Sequence, residues 1–129
     1  MRKRGLVRTE RSRGAVAVEF ALVAPVLLAL VAGIVEFSHT YNLQISVTQA
    51  AREAAREMAI SNNQAAARTA AVAGAPGLNP TAFSYTFNPG TCAANTNMTV
   101  SISYTGNTMT GLFGSTITVG GVGAMRCGG

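Results

Sequence analysis

Residues 13–20 read Arg13-Gly14-Ala15-Val16-Ala17-Val18-Glu19-Phe20 and open the one segment of the chain that is apolar enough to span a membrane. The 21 residues from Ala15 to Val35 contain a single proline and, apart from Glu19, no charge. As a helix rising about 1.5 Å per residue, this run is about 30 Å long, which matches the hydrocarbon core of a bilayer. Residues 15–35 are therefore predicted to form a transmembrane helix.

Glu19 lies inside this apolar run. An ionised side chain at membrane depth costs about 2–4 kcal/mol on insertion scales, so such residues usually pair with another group or serve a function. A cut after Gly14 would supply a partner, because the new α-amino group of Ala15 would lie one helical turn from the carboxylate. Such a cut would thus give the carboxylate of Glu19 a positively charged partner on the same face of the helix.

The positive charge of the chain is concentrated before the apolar run. Six of its ten Lys and Arg residues lie in residues 1–14, whereas residues 15–129 balance four Arg against four Glu. A basic cluster beside an apolar span stays in the cytoplasm, which predicts a cytoplasmic N-terminus and a C-terminus outside. Nucleic-acid binding is the alternative for a basic arm. It is disfavoured because the charges stop where the apolar run begins and no basic or aromatic platform follows.

The remainder of the chain predicts an α+β fold. Helical periodicity continues past the span, so one long helix is expected from about Ala17 to Ile60, with residues 36–61 as a helical stalk. Residues 62–129 form a small exported head, in which residues 64–73 are predicted to be a short helix.

Beyond residue 77 the apolar residues alternate with polar ones, which is typical of strands with one buried face. The pattern predicts an antiparallel sheet of about three strands around residues 83–87, 98–104 and 115–127. The alanine-rich helix faces are expected to cover its apolar side. Residues 108–113 are predicted to make a single helical turn, with Met109, Leu112 and Phe113 tucked under the edge of the sheet.

Two features affect the stability and shape of the chain. Cys92 and Cys127 both fall in the exported part, where an oxidising compartment would let them form a disulfide that stabilises the head by about 4 kcal/mol. Two free thiols are the alternative.

Pro25 removes a backbone donor inside the span and predicts a kink or a locally melted turn. Simple tolerance of proline in a membrane helix is the alternative there.

Few residues suggest catalysis. The chain has no Asp, one His and no Trp, and it has no Ser or Cys in a recognisable nucleophile motif. We therefore expect no enzymatic activity, no catalytic residue, no cofactor and no metal site. His39 is expected to be a hydrogen-bonded surface residue, and Glu36 is expected to reach water just outside the span.

The residues at the start of the apolar run resemble those of a known family, the TadE-like pseudopilins of tight-adherence (Flp-type) pilus systems. The resemblance is close over about the first 60 residues and looser beyond them. It is carried by Gly14, by Ala15-Val16-Ala17-Val18-Glu19-Phe20, by Ala21-Leu22-Val23-Ala24-Pro25-Val26-Leu27-Leu28, by Glu36-Phe37 and by Ala51-Arg52-Glu53-Ala54-Ala55-Arg56.

This resemblance implies how the chain is processed. In prepilin-type leaders a membrane aspartyl peptidase cuts after the glycine, and a glutamate followed by an aromatic residue stands fifth in the mature chain. Here those positions are Glu19 and Phe20, so residues 1–14 would be the basic leader. Glu19 and Phe20 would then serve recognition by the peptidase and assembly.

The resemblance also implies a place and a set of partners. It describes a single-pass protein of the bacterial inner membrane that takes part in pilus assembly and either stays in the membrane or joins the pilus. Its partners would be the prepilin peptidase, the pilin, other TadE-like subunits, and the inner-membrane platform with its ATPase. Flp pilins that form filaments are far shorter and lack a substantial exported domain, so this chain is similar to a minor subunit.

Two other functions fit parts of the sequence. An ordinary signal peptide cut near Ala32-Gly33 would release a small secreted protein, although the apolar run is longer than the usual 7–15 residues. A plain single-pass envelope protein that keeps its leader would leave Glu19 without an explanation.

Overall fold

A computed structural model of the chain describes residues 7–128, with side chains from Arg11 onward. Two helices and three strands follow one another in these residues: α1 Val7–Ser61, α2 Gln64–Gly74, β1 Phe83–Asn88, β2 Asn97–Asn107 and β3 Thr116–Arg126. A short 3-10 turn, Pro80–Ala82, leads into β1. The predicted α+β fold is confirmed. The chain divides into two compact units, one ending at Val35 and one beginning at Glu36.

Helix α1 starts earlier than the apolar periodicity predicts, at Val7 instead of about Ala17. Residues 7–14 of the predicted leader are helical. Residues 1–6 of the predicted leader lie outside the described residues. Once the apolar run has formed a helix, each added residue needs no new nucleation, and Arg and Glu are good helix formers.

The helix also continues through Pro25, so the turn around this residue is not melted. A kink at Pro25 stays a prediction.

The corner between the helices is built from consecutive polar residues. Asn62 adopts a positive φ of 50° and ends α1. Asn63 caps α2, because its side-chain oxygen accepts hydrogen bonds from the backbone N–H groups of Ala65 and Ala66 at 2.9 and 3.2 Å. Helix α2 then extends one residue beyond the predicted end, to Gly74.

The described strands form one antiparallel sheet in the order β1-β2-β3. Phe83 pairs with Tyr104, and Tyr104 pairs in turn with Val119, so the inward-facing residues of neighbouring strands stand side by side. The helices cover this face. The buried core combines the sheet side chains with one face of α1 and one of α2, and its fully buried helix residues include Val47, Ala50, Ala51, Ala54, Ala55, Met58, Ala67 and Ala71.

Two glycines of β3 allow helix α1 to lie unusually close to the sheet. A Cβ atom on Gly121 would stand 2.7 Å from the backbone nitrogen of Thr48, and one on Gly123 would stand 2.7 Å from the nitrogen of Arg52 and overlap the carbonyl of Ala51. These positions therefore have room for hydrogen only. The small side chains of α1 and the glycines of β3 together allow the helix backbone to contact the strand backbone.

The segment between β2 and β3 differs from the prediction. Residues 108–113 form no helical turn, and Met109, Leu112 and Phe113 are exposed rather than tucked under the sheet. Gly111 and Gly114 have φ of 72° and 112°, which is outside the helical region, so the backbone turns as a loop. Backbone donors of this loop bond to Glu36 instead of to a helical turn.

Candidate processing and assembly segment

The predicted cleavage site lies within helix α1. Gly14 and Ala15 are both helical and exposed, and a Cβ atom on Gly14 would meet nothing within 4 Å. Glycine inside a helix costs about 1 kcal/mol relative to alanine, so the helix is intrinsically weak at the bond that the resemblance marks for cutting.

Glu19 and Phe20 lie on the exposed surface of the same helix. Glu19 lines a shallow hollow with Val16, Phe20 and Val23, and every one of these neighbours is apolar. The helical spacing places Glu19 one turn beyond Ala15, the residue that would carry the α-amino group after cleavage. The geometry therefore permits pairing of the carboxylate with an amine, whether from its own chain or from a neighbouring one.

The helix around these residues has an exposed apolar surface. Its most apolar 18-residue window has a mean hydropathy of 2.5 and contributes no buried residue. Large exposed side chains follow one another along it, including Val16, Phe20, Leu22, Val26, Leu28, Leu30 and Ile34. A helix of this length and composition could span a membrane, which would cover that surface.

Comparison with protein families bears on this same segment. The family model described as TadE-like protein matches residues 14–56. Over these residues the chain is similar to TadE-like proteins. No curated protein and no solved structure was found to match it.

The TadE-like segment begins at Gly14 and ends at Arg56, so it includes the apolar run and the alanine-rich face of α1 but not the sheet. The resemblance seen in the sequence is thereby confirmed. This match supports a pilus-associated, minor-pilin-like role for the chain.

Glu36 is a site residue that the sequence reasoning missed. The sequence predicted that Glu36 reaches water, but its side chain is only 5% exposed. Its carboxylate accepts hydrogen bonds from the backbone N–H of Met109 at 3.1 Å, and from both the N–H and the hydroxyl of Thr110 at 2.8 Å. The available signal was the Glu36-Phe37 pair in the family resemblance, but nothing in the sequence identified residues 109 and 110 as the donors.

These contacts set the ionisation of Glu36. Its pKa lies below the ordinary value of 4.5, chiefly because the Thr110 N–H donates to the carboxylate. Burial opposes this and raises the pKa, whereas the Thr110 hydroxyl, the Met109 N–H and the nearby His39 lower it further. Glu36 is therefore a fixed negative charge that holds the loop between β2 and β3.

Further contacts hold the head together. Cys92 and Cys127 form a disulfide with their Cα atoms 5.6 Å apart. The side-chain oxygen of Asn62 accepts a hydrogen bond from the Cys92 N–H at 2.6 Å, and the Gln64 amide donates to the carbonyl of Gly90 at 2.7 Å. The helical corner thus fixes the loop that carries one half of the disulfide.

Two other titratable residues outside residues 15–35, His39 and Arg68, also make structural contacts. His39 donates from Nε2 to the carbonyl of Asn107 at 3.2 Å, which ties α1 to the end of β2. Arg68 lies over the ring of Tyr85 at 5.3 Å, a cation–π distance. Residues 7–128 contain no group of three or more His, Cys, Asp or Glu side chains placed to hold a metal ion.

Proposed function

We propose that the chain is a membrane-anchored minor subunit in the assembly of a tight-adherence pilus, and that a prepilin peptidase cuts it after Gly14. The observation that carries this proposal is the TadE-like match, which begins at Gly14 and runs through an exposed apolar helix containing Glu19. The chain works through contacts and not through catalysis.

The carboxylate of Glu19 has two roles in this proposal. Before cleavage it helps the peptidase to select the chain. After cleavage it neutralises an α-amino group within the membrane or the filament. A neighbour in the wrong register would leave a charge buried without a partner, so the pair also selects the register of assembly.

The proposed topology places residues 1–14 in the cytoplasm, residues 15–35 in the inner membrane and the head outside. The basic leader supports this orientation through its charge. The Cys92–Cys127 disulfide supports it as well, because disulfides persist in oxidising compartments. Proposed partners are the peptidase, the pilin, other TadE-like subunits, and the inner-membrane platform with its ATPase.

The first experiment determines the N-terminal residue and the intact mass of the protein purified from cells. A chain that begins at Ala15 supports prepilin-type processing. A start beyond Ala32 indicates an ordinary secreted protein, and a start at Met1 or Arg2 indicates a plain membrane anchor. Either of the last two results contradicts the proposal.

Two valine variants sharpen this experiment. Gly14 and Gly33 belong to the same helix, and an added side chain would meet nothing within 4 Å of the Cβ position at either residue. We expect Gly14→Val to accumulate with its leader attached and Gly33→Val to be processed normally. Mature protein from Gly14→Val would exclude cleavage at this site.

A further inference from the structure

The loop of residues 108–115, here called the apolar loop, is held in place by hydrogen bonds at its base. The Thr108 N–H donates to the carbonyl of Ser115 at 3.2 Å, and the Thr108 hydroxyl donates to that of Gly114 at 2.6 Å. Glu36 binds the next two residues, Met109 and Thr110. The loop is therefore held by hydrogen bonds across its own base and by the contact with Glu36 of α1.

The apolar loop exposes large side chains at its tip. Met109 and Leu112 are each 63% exposed, and Phe113 is 74% exposed. Residues 69–125 contain no Asp, Glu, Lys or Arg, so the loop itself carries no charged side chain that would have to be desolvated. A loop that is ordered by polar contacts and tipped by exposed apolar groups is typical of an interaction site.

The connectivity of the chain limits how far this tip can lie from the end of the predicted transmembrane helix. Glu36 directly follows Val35, the last residue of the predicted span. Leu112 and Phe113 come two and three residues after Thr110, which limits the distance between the Cα atoms of Thr110 and Phe113 to about 10 Å. The headgroup region on each side of a bilayer is about 5–7 Å thick, so the loop tip can reach it.

Aromatic residues on α1 support the same position for the membrane boundary. Phe37 and Tyr41 are exposed and stacked, with ring centroids 6.4 Å apart. Amphipathic aromatic residues such as Tyr are enriched at the level of the headgroups. These two residues follow the end of the span within about two helical turns.

We propose that the apolar loop docks on the outer leaflet of the membrane that residues 15–35 cross, with Leu112 and Phe113 inserted among the headgroups. This proposal rests on the membrane anchoring in the proposed function, but not on pilus assembly. Apolar groups of interfacial elements enter the headgroup boundary by about 5–10 Å, a depth that these two side chains can reach. Glu36 then acts as a positioning residue, because it ties the loop to the residue that directly follows the span.

Tryptophan fluorescence tests this docking, because the natural chain contains no Trp. The full chain, with its leader or without it, is reconstituted into vesicles of a neutral phospholipid as three variants with one indole each. The loop variant is Phe113→Trp. The strand variant, Val122→Trp, labels an exposed strand position that should stay in water, and the span variant, Leu28→Trp, labels the predicted transmembrane helix. Lipids brominated at known depths and aqueous iodide serve as quenchers.

We expect the loop variant to emit at shorter wavelength than the strand variant, and to be quenched by lipids brominated near the headgroups but poorly by iodide. The span variant should be quenched by deeply brominated lipids. Adding Glu36→Gln to Phe113→Trp should reduce quenching of the loop indole by lipid, because the loop loses its anchor. Unchanged lipid quenching in this double variant would contradict the positioning role of Glu36.

Three further results would overturn the docking. If lipid quenches the span variant while the loop variant is as open to iodide as the strand variant, the anchor exists but the loop does not dock. If lipid does not quench the span variant, membrane anchoring itself fails and docking fails with it. If the loop indole is shielded only at high protein-to-lipid ratio, a neighbouring protein chain covers the loop and the membrane does not.

Discussion

Thr110 donates two hydrogen bonds to the carboxylate of Glu36, one from its backbone N–H and one from its hydroxyl, both at 2.8 Å. The two residues lie 74 positions apart in the sequence. Hydrogen bonds to an ionised carboxylate are stronger than those between neutral groups. This contact therefore joins the part of α1 that directly follows residues 15–35 to the loop between β2 and β3, and it depends on the charge of Glu36.

The first prediction is that this contact weakens in acid. Because the pKa of Glu36 is lower in the folded protein than its ordinary value of 4.5, the unfolded chain binds the proton more readily. The stability from this group is complete above pH 4.5 and is lost as the pH falls through the folded pKa. Hydrogen exchange at the Met109 and Thr110 amides, after correction for the intrinsic exchange rate, should show decreasing protection over this range.

Glu36→Gln should remove this pH dependence and leave the two amides weakly protected at neutral pH. Glu57→Gln is the matched control, since it makes the same chemical change about six helical turns further along α1. Equal protection of the two amides in Glu36→Gln and in the natural protein would show that the carboxylate does not hold the loop.

The second prediction concerns the close approach of α1 to β3. Gly123→Ala would place a methyl group on the Ala51 carbonyl and near the Arg52 nitrogen, and a helix backbone cannot shift as cheaply as a side chain. We expect a loss of about 1–3 kcal/mol in the free energy of unfolding, the usual cost of overpacking. Urea unfolding of the full chain in detergent measures it.

Gly120→Ala is the control for this substitution. A Cβ atom there would lie 3.8 Å from the carbonyl oxygen of Ile102, which is ordinary contact, and the residue is exposed. The free energy of unfolding of Gly120→Ala should remain close to that of the natural protein. If both variants lose the same amount, strand conformation and not the helix contact explains the glycines.

The sequence predicts the part of this fold that depends on local pattern. Alternation of apolar residues places Phe83, Met98 and Val119 on one face of the sheet, and the structure buries all three there. The alanine face of α1 was likewise predicted to cover the sheet, and it does.

Contacts between distant residues could not be predicted in the same way. Glycines at 121 and 123 look like breaks in a strand until the helix that lies on them is known. Similarly, the order of the apolar loop depends on a carboxylate 73 positions from Met109, so periodicity alone suggested a helical turn. The Gly14–Glu19–Phe20 pattern was recognisable because its spacing is local, but the function proposed for it involves partners outside the chain.

The third prediction is that the disulfide contributes much of the stability of the head. Cys92 and Cys127 close a loop with a sequence separation of 35. The chain-entropy model gives about 4 kcal/mol for a loop of this length. Cys92→Ser combined with Cys127→Ser should therefore unfold at clearly lower urea concentration. The reduced natural protein should match the double variant, and no change on reduction would mean that the bond does not stabilise the head.

The fourth prediction concerns assembly and follows from the position of Glu19 in an apolar surface. If its carboxylate neutralises the α-amino group of Ala15 or of a neighbour, Glu19→Ala leaves that amine without a partner in a hydrophobic environment. A cost of about 2–4 kcal/mol for an unpaired charge corresponds to a loss of incorporation into pili of about 30-fold or more. Immunoblots of pili sheared from cells, normalised to the processed protein in the membrane, measure incorporation directly.

Two further variants separate charge from side-chain size at this position. Glu19→Gln keeps the shape of the side chain but loses its charge, so it should assemble as poorly as Glu19→Ala. Val18→Ala truncates an exposed neighbour on the same helix without changing any charge, and it should assemble normally. Because Glu19 is also proposed to help the peptidase select the chain, the intact mass of each variant must show a start at Ala15 before its assembly is compared. Normal pilus levels in processed Glu19→Gln would show that assembly does not require the charge pair.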